Sequence, residues 1–151
     1  MGSAGVRPGA DALKKVAEMK FERIESPKVP ELGPQSLSNC KKVGDQVFLS
    51  GLLSWDDKQE IIGTGDAYVQ AFNIFAAMKA LMEAAGGKIN DVAKITMFVT
   101  DMRYQPEIWR ARREFFTGDF PCSTLVCVSQ LFKPEALVEI EAIGVIGAGE
   151  E

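Results

Sequence analysis

Histidine is missing from all 151 residues. Its absence removes Ser–His and Cys–His nucleophile pairs, His-ligated metal centres and imidazole acid–base chemistry. Catalysis, if present, is left to carboxylates, hydroxyls, thiols, Arg or Lys, backbone dipoles and bound water. Cysteine is scarce: Cys40, Cys122 and Cys127 form an odd set without framework or Cys-x-x-Cys spacing. They argue against a disulfide scaffold and a thiolate metal site, and they suit a reducing cytoplasm. No apolar run approaches the ~18 residues of a membrane span, no signal peptide is expected, and Val6 stands where a myristoylation motif needs Ser or Thr. Positive charge is not in excess either. Seventeen basic against 21 acidic residues give −4, so net charge attracts neither nucleic acid nor an anionic membrane. Gly63-Thr64-Gly65 lacks the lysine of a P-loop and reads as a turn before a helix.

What remains is a chain that is 46% hydrophobic, enough for one compact domain over residues 20–146. Residues 1–19 are an N-terminal extension whose Met-Gly-Ser start reads as partly a cloning remnant. Leu13, Val16 and Met19 give them helical spacing. Residues 147–151 are a C-terminal tail. Strands are predicted at Lys20–Glu25, Asn39–Val43 and Gln46–Ser50, the last two joined by Gly44-Asp45. An irregular loop over 52–65 carries Trp55. A helix spans Asp66–Ala85, with Thr64 and Asp66 as cap candidates and Gly86-Gly87 as its stop. Ala71, Ile74, Met78, Leu81 and Ala85 form its inner stripe, flanked by Phe75 and Met82. Val69 and Phe72 fall on the opposite half, either under the N-terminal segment or against another subunit. A strand over Val92–Thr100 precedes a second helix beginning at Pro106 and ending at Gly118-Asp119, with Ile108, Ala111 and Phe115 inward and Trp109 and Phe116 beside them.

Phe120–Val145 reads as a hairpin of two period-two strands joined by a turn with Pro134. Val138, Ile140 and Ala142 share a core face. The mixed second face is assigned Leu125, Cys127, Leu137 and Ile143 beside Glu139 and Glu141. The order β-β-β-α-β-α-β-β makes an α+β domain, one sheet with two helices on one face. A largely apolar second face exposed to water invites aggregation, so a homo-oligomer is expected. Glu139 and Glu141, spaced i, i+2, project to one side of their strand. One is a candidate general base with a raised pKa, or both are neutralised at the oligomer contact. Cys122 and Cys127, without a histidine to activate them, are read as small buried packing residues rather than nucleophiles.

Several separated motifs resemble one family. Gly65-Asp66, Gln70 and Asn73 are followed by Ala84-Ala85-Gly86-Gly87, Asn90-Asp91-Val92 and Thr96-Met97-Phe98-Val99-Thr100-Asp101-Met102. Phe115-Phe116, Phe120-Pro121, Ser123-Thr124 and Val138-Glu139-Ile140-Glu141-Ala142-Ile143 close the series. Together they resemble the Rid family, the RidA/YjgF-like imine deaminases long labelled endoribonuclease L-PSP. The resemblance implies a chorismate-mutase-like fold, a homotrimer with ligand clefts between subunits, and cofactor-free, metal-free hydrolysis of enamines or imines to a carbonyl compound and ammonia. Carried over by position, the family's catalytic glutamate is Glu139, and the cleft-lining Ser-Gly is Ser50-Gly51. Gly33-Pro34 is kept, but Gln35 stands where the family has tyrosine. Ser123, next to Cys122 in the same cleft wall, replaces the family's carboxylate-binding arginine.

Serine cannot replace a guanidinium: it has one donor, no charge and less reach. The chain therefore looks like a divergent member whose substrate is not a simple 2-imino acid, unless Arg103, Arg110, Arg112 or Arg113 supplies a cation. Arg112 lies in the apolar sector of the second helix and is expected to snorkel past Phe116 to the surface. The leading reading is an imine or enamine deaminase acting on a small molecule. A non-catalytic trimeric ligand-binding or chaperone-like module is the alternative. An endoribonuclease is the weaker one, opposed by the acidic pI and the lack of an aromatic-basic strip.

Overall fold

A computed structural model describes residues 9–17, 19–31, 33 and 36–150. In chain order the elements are α1 (Ala10–Ala17), β1 (Glu22–Ile24), β2 (Cys40–Val43), β3 (Gln46–Leu52), α2 (Ala67–Ala84), β4 (Val92–Val99), α3 (Gln105–Arg112), β5 (Cys122–Cys127) and β6 (Val138–Val145). Six strands make one sheet in the order β1-β2-β3-β6-β4-β5, with α2 and α3 on one face. The α+β expectation holds, and α1 is a short helix whose Leu13 is exposed. No helix among the described residues is long and apolar enough to cross a membrane.

Helix α2 forms where the pattern places it. Asp66 caps it by accepting from the Val69 N–H at 3.0 Å, and Gly86 turns the chain away at φ +93°, a conformation that only glycine adopts without cost. Ala71, Ile74, Phe75, Met78, Leu81, Met82 and Ala85 are all buried against the sheet. The Phe72 ring packs 4.9 Å from Phe115, linking α2 to the turn that follows α3. Helix α3 stops at Arg112, well before Gly118. Phe116 therefore turns inward and is buried, while Phe115 stays half-exposed.

The expected hairpin is not one. β5 pairs in parallel with β4, and β6 pairs antiparallel with both β4 and β3. The reason is the crossover: a strand followed by a helix returns parallel beside its predecessor, so α3 delivers β5 to the outer edge of β4. The Pro134 turn then carries the chain back to the other side of β4, where Val138, Ile140 and Ala142 are buried between two neighbours.

This rearrangement also changes which side chains share a face. Leu125 is level with buried Met97 and packs on the helix-side core. Cys127 is level with buried Val99, on that same side. Val126, level with Phe98 and so with Glu139, belongs instead to the open face. That face displays Phe48, Ile143 and Val126, each more than a third exposed, around Lys94, Thr96 and Glu141. The expected apolar second face therefore exists with a partly different membership. Cys122 and Cys127 are both exposed because β5 is an edge strand with little cover, so they are not buried packing residues; only Cys40 is.

Candidate functional site

The site begins with a defect in β3. Leu49 is opposite Ala142 and Leu52 is opposite Ile140, so three steps along β3 face two along β6. The extra residue makes a β-bulge at Ser50-Gly51, a device that re-aims side chains beside functional sites. Gly51 then lies directly under Glu139. A methyl group built on Gly51 would land on Glu139 Oε1 and come within 2.8 Å of Cδ. The glycine is there because the carboxylate occupies the space a side chain would fill. Glu139 is half-buried, and its pKa is raised above the ordinary carboxylate range by desolvation first and by Glu141 second.

Above Glu139 opens a cleft of about 380 Å³ lined by Gly33, Ser36, Leu37, Gly51, Leu53, Trp55, Gln59 and Phe132. Neither Lys nor Arg lines it among the described residues. Trp55 is set by the turn that follows it: Asp56 N–H donates to Glu60 O at 3.0 Å, and Asp56 Oδ1 accepts from the N–H groups of Lys58 and Glu60. Trp55 itself bridges to Ile61. Gln59, at φ +64°, is the single described non-glycine residue in the left-handed region. Phe132 comes from the β5–β6 connection and meets Trp55 edge-on with ring centres 6.4 Å apart. The two loops share an anchor. Fully buried Gln70 donates to Gly63 O at 3.1 Å and to Glu135 O at 3.0 Å, and its Oε1 accepts from Leu137 N–H at 2.8 Å.

Of the residues singled out from sequence, Glu139, Gly51 and Gly33 meet in this cleft. Ser50 lines the adjoining groove with Arg23, Ser38 and Lys41, and its hydroxyl is engaged, donating to Ser38 O at 2.6 Å. Pro34 and Gln35 lie outside the described residues. Ser123 and Cys122 are on β5, separated from β6 by β4, and do not line the cleft of their own chain. Trp55, Phe132, Leu37, Leu53, Gln59 and Ser36 come from irregular segments, and sequence reasoning did not place them in the site. The one available signal was a pair of large aromatics, Trp55 and Phe132, in polar loops.

Ser123 is not left alone. The Arg112 guanidinium donates through Nη1 to Ser123 Oγ at 3.1 Å and lies 5.4 Å from the rings of both Trp109 and Phe120. Among the described residues it makes no ion pair, and its buried Nε–H finds no hydrogen-bond partner there. Desolvation, then Arg113, lowers its pKa, and an arginine keeps its charge in a protein. Arg112 thus stays at the sheet edge instead of snorkelling past Phe116. Arg103 and Arg110 are bound to Asp101 and Glu107 at 2.6 Å.

Residues 33–146 match the family model described as Endoribonuclease L-PSP. A 2-iminobutanoate/2-iminopropanoate deaminase of Dermatophagoides farinae is 37% identical over 124 residues, covering 82% of this chain and 94% of that protein. Among solved structures, a Pseudomonas aeruginosa protein of unknown function, PA3499, superposes with TM-score 0.77 at 36% identity, over 87% of this chain and 96% of that one. RidA from an Antarctic Psychrobacter gives TM-score 0.75 at 32% identity, over 83% and 99%.

Proposed function

Because the chain belongs to the endoribonuclease L-PSP family, the Rid or YjgF-like proteins, we propose that it hydrolyses a reactive imine or enamine to a carbonyl compound and ammonia. The observation that carries this reading is the Glu139 carboxylate, seated on the bare backbone of Gly51 at the foot of the cleft, with its pKa raised. A carboxylate of this kind accepts a proton more readily than an ordinary glutamate does. Glu139 takes a proton from water as the oxygen attacks the C=N carbon and passes it to the nitrogen, giving a carbinolamine. Glu139 then takes the hydroxyl proton and delivers it to the amine nitrogen as the C=O bond forms, the C–N bond breaks and ammonia leaves.

The working site is an intersubunit cleft of a homotrimer in this reading. The exposed Phe48, Ile143 and Val126 of the open sheet face support it, since a second and third copy would cover them. Ser123 and Arg112, on the far edge of the sheet, would then reach the cleft of the next copy. Arg112 would supply there the cation that Ser123 lacks and hold an anionic group of the substrate. The exposed thiols of Cys122 and Cys127 suit a reducing, cytoplasmic setting.

The test is keto acid release from enzymatically generated imines, with Glu139→Gln beside the native protein. The expected result is acceleration over buffer that the variant loses. Absence of acceleration with every imine, alongside saturable binding of small acids, would replace the enzyme with a binding module.

A further inference from the structure

We propose that the cleft over Glu139 is a specificity pocket for substrates carrying an aromatic or similarly bulky apolar side chain, seated against the wall that Trp55 and Phe132 form. The capacity is the first observation. At ~30 Å³ per water-sized group, 380 Å³ holds about a dozen, and a four-carbon imino acid fills roughly half of that. Chemistry is the second. The walls are Leu37, Leu53, Trp55 and Phe132, and Glu139 is the sole ionisable group among the described lining residues.

The third observation is Phe132 itself. It is 75% exposed, more than any other large hydrophobic side chain described, and its one ring contact among the described residues is the edge-to-face pair with Trp55. An aromatic ring exposed at a cleft mouth offers apolar surface that an entering side chain can bury. The fourth is preorganisation. Trp55 stands on a turn closed by Asp56, with Gln59 in a left-handed conformation at the rim, and such local strain is characteristic of ligand clamps. Gln70 ties this loop, through Gly63, to the Phe132 loop, through Glu135 and Leu137. Both aromatic walls are therefore positioned before any ligand arrives, which lowers the ordering cost of binding.

The substrate class rests on the hydrolase reading; the shape and polarity of the pocket do not. Two measurements separate them. In the first, an L-amino-acid oxidase generates the imines of phenylalanine and of 2-aminobutyrate, and their hydrolysis is followed competitively. Burial of one large apolar side chain is worth about 10- to 100-fold, so kcat/KM is expected to favour the phenylalanine imine by at least ~10-fold. Phe132→Ala and Trp55→Ala are expected to cost that imine about tenfold more than the small one. In the second, titration calorimetry compares phenylpyruvate with pyruvate, using the native protein and Phe132→Ala, with circular dichroism confirming the fold. Tighter phenylpyruvate binding that Phe132→Ala weakens supports the pocket even if no imine is turned over, in which case the hydrolase reading alone fails. Equal binding of the two acids, or a preference for the smaller imine, overturns the pocket.

Discussion

Gly51→Ala tests the centre of the site with the smallest available perturbation. The backbone of Gly51 is outside the left-handed region, so alanine meets no φ penalty there. All of the cost lies in the methyl group, which would fall on Glu139 Oε1, 2.8 Å from Cδ and 3.1 Å from Cγ. Carbon–carbon contacts settle at about 3.5–4.0 Å, so the carboxylate must retreat by about 1 Å. Glu139 can do this by leaving its preferred rotamer, at about 0.5–1.5 kcal/mol. For a domain of this size that is a fall in Tm of about 1–6 °C, at ~2–4 °C per kcal/mol. Rate is far more sensitive. A base displaced by ~1 Å loses about 100-fold, or about 2.7 kcal/mol of barrier. Gly44→Ala is the matched control, because nothing lies within 4 Å of its added carbon but φ is +58°. It is expected to cost about 1–2 kcal/mol of stability with little change in rate. Keto acid release and thermal melting of the two variants give opposite signatures. A Gly51→Ala protein that melts normally and keeps more than about a third of native kcat/KM refutes the placement of Glu139 as the base.

The raised pKa of Glu139 makes two linked statements. As a base it must be ionised, so kcat/KM is expected to rise with pH through a midpoint above the ordinary carboxylate value of ~4.3; a flat profile contradicts this. For stability the sign is reversed. The folded protein holds this proton more tightly than the unfolded chain, so the penalty is absent below the unfolded pKa, grows between the two values and is complete above the folded one. Glu139→Gln should therefore melt higher than the native protein at pH 8 and lose that advantage at pH 4, while its rate falls by about 100-fold or more. Gln70→Leu strands the Leu137 N–H and the carbonyls of Gly63 and Glu135. At about 1–3 kcal/mol for a buried unsatisfied group, a loss near 3 kcal/mol is expected in denaturant unfolding; a loss under ~1 would mean the loops are not anchored there. Arg112→Ala is expected to raise KM for a carboxylate-bearing imine about 10-fold more than for an uncharged one, and Arg112→Lys to restore little of it. Equal effects on both substrates make Arg112 a packing residue.

The helix-side core was legible because periodicity encodes burial directly. The α2 stripe from Ala71 to Ala85 and the alternation Val138, Ile140, Ala142 each name their inner face without knowledge of a partner. Strand pairing is not encoded that way. The two strands of Phe120–Val145 look like a hairpin locally, and only the α3 crossover, which places β5 parallel to β4, shows that they flank a third. Edge position also explains the misread β5. With little cover on either side, Ser123, Val126 and Cys127 are all exposed or nearly so, and no alternation survives to report which face is which.

The same division runs through the site. Glu139 on β6 and Gly51 in the β3 bulge were legible through motif resemblance, because a bulge beneath the glutamate carboxylate needs its glycine at one position. Trp55, Gln59 and Phe132 are on loops, where neither period two nor period 3.6 applies and where one turn closed by Asp56 decides the direction of a ring. Arg112 is the intermediate case. Its place in the apolar sector of α3 was legible, but its destination depended on the helix ending at Arg112. That early stop leaves Phe120 and Ser123 within reach of the guanidinium and brings Phe116, not Phe115, into the core. The reach of the Arg112 guanidinium to Ser123 and the burial of Phe116 are therefore two consequences of one local event, the termination of α3. A variant that extended that helix by a turn would move the cation and the core phenylalanine together.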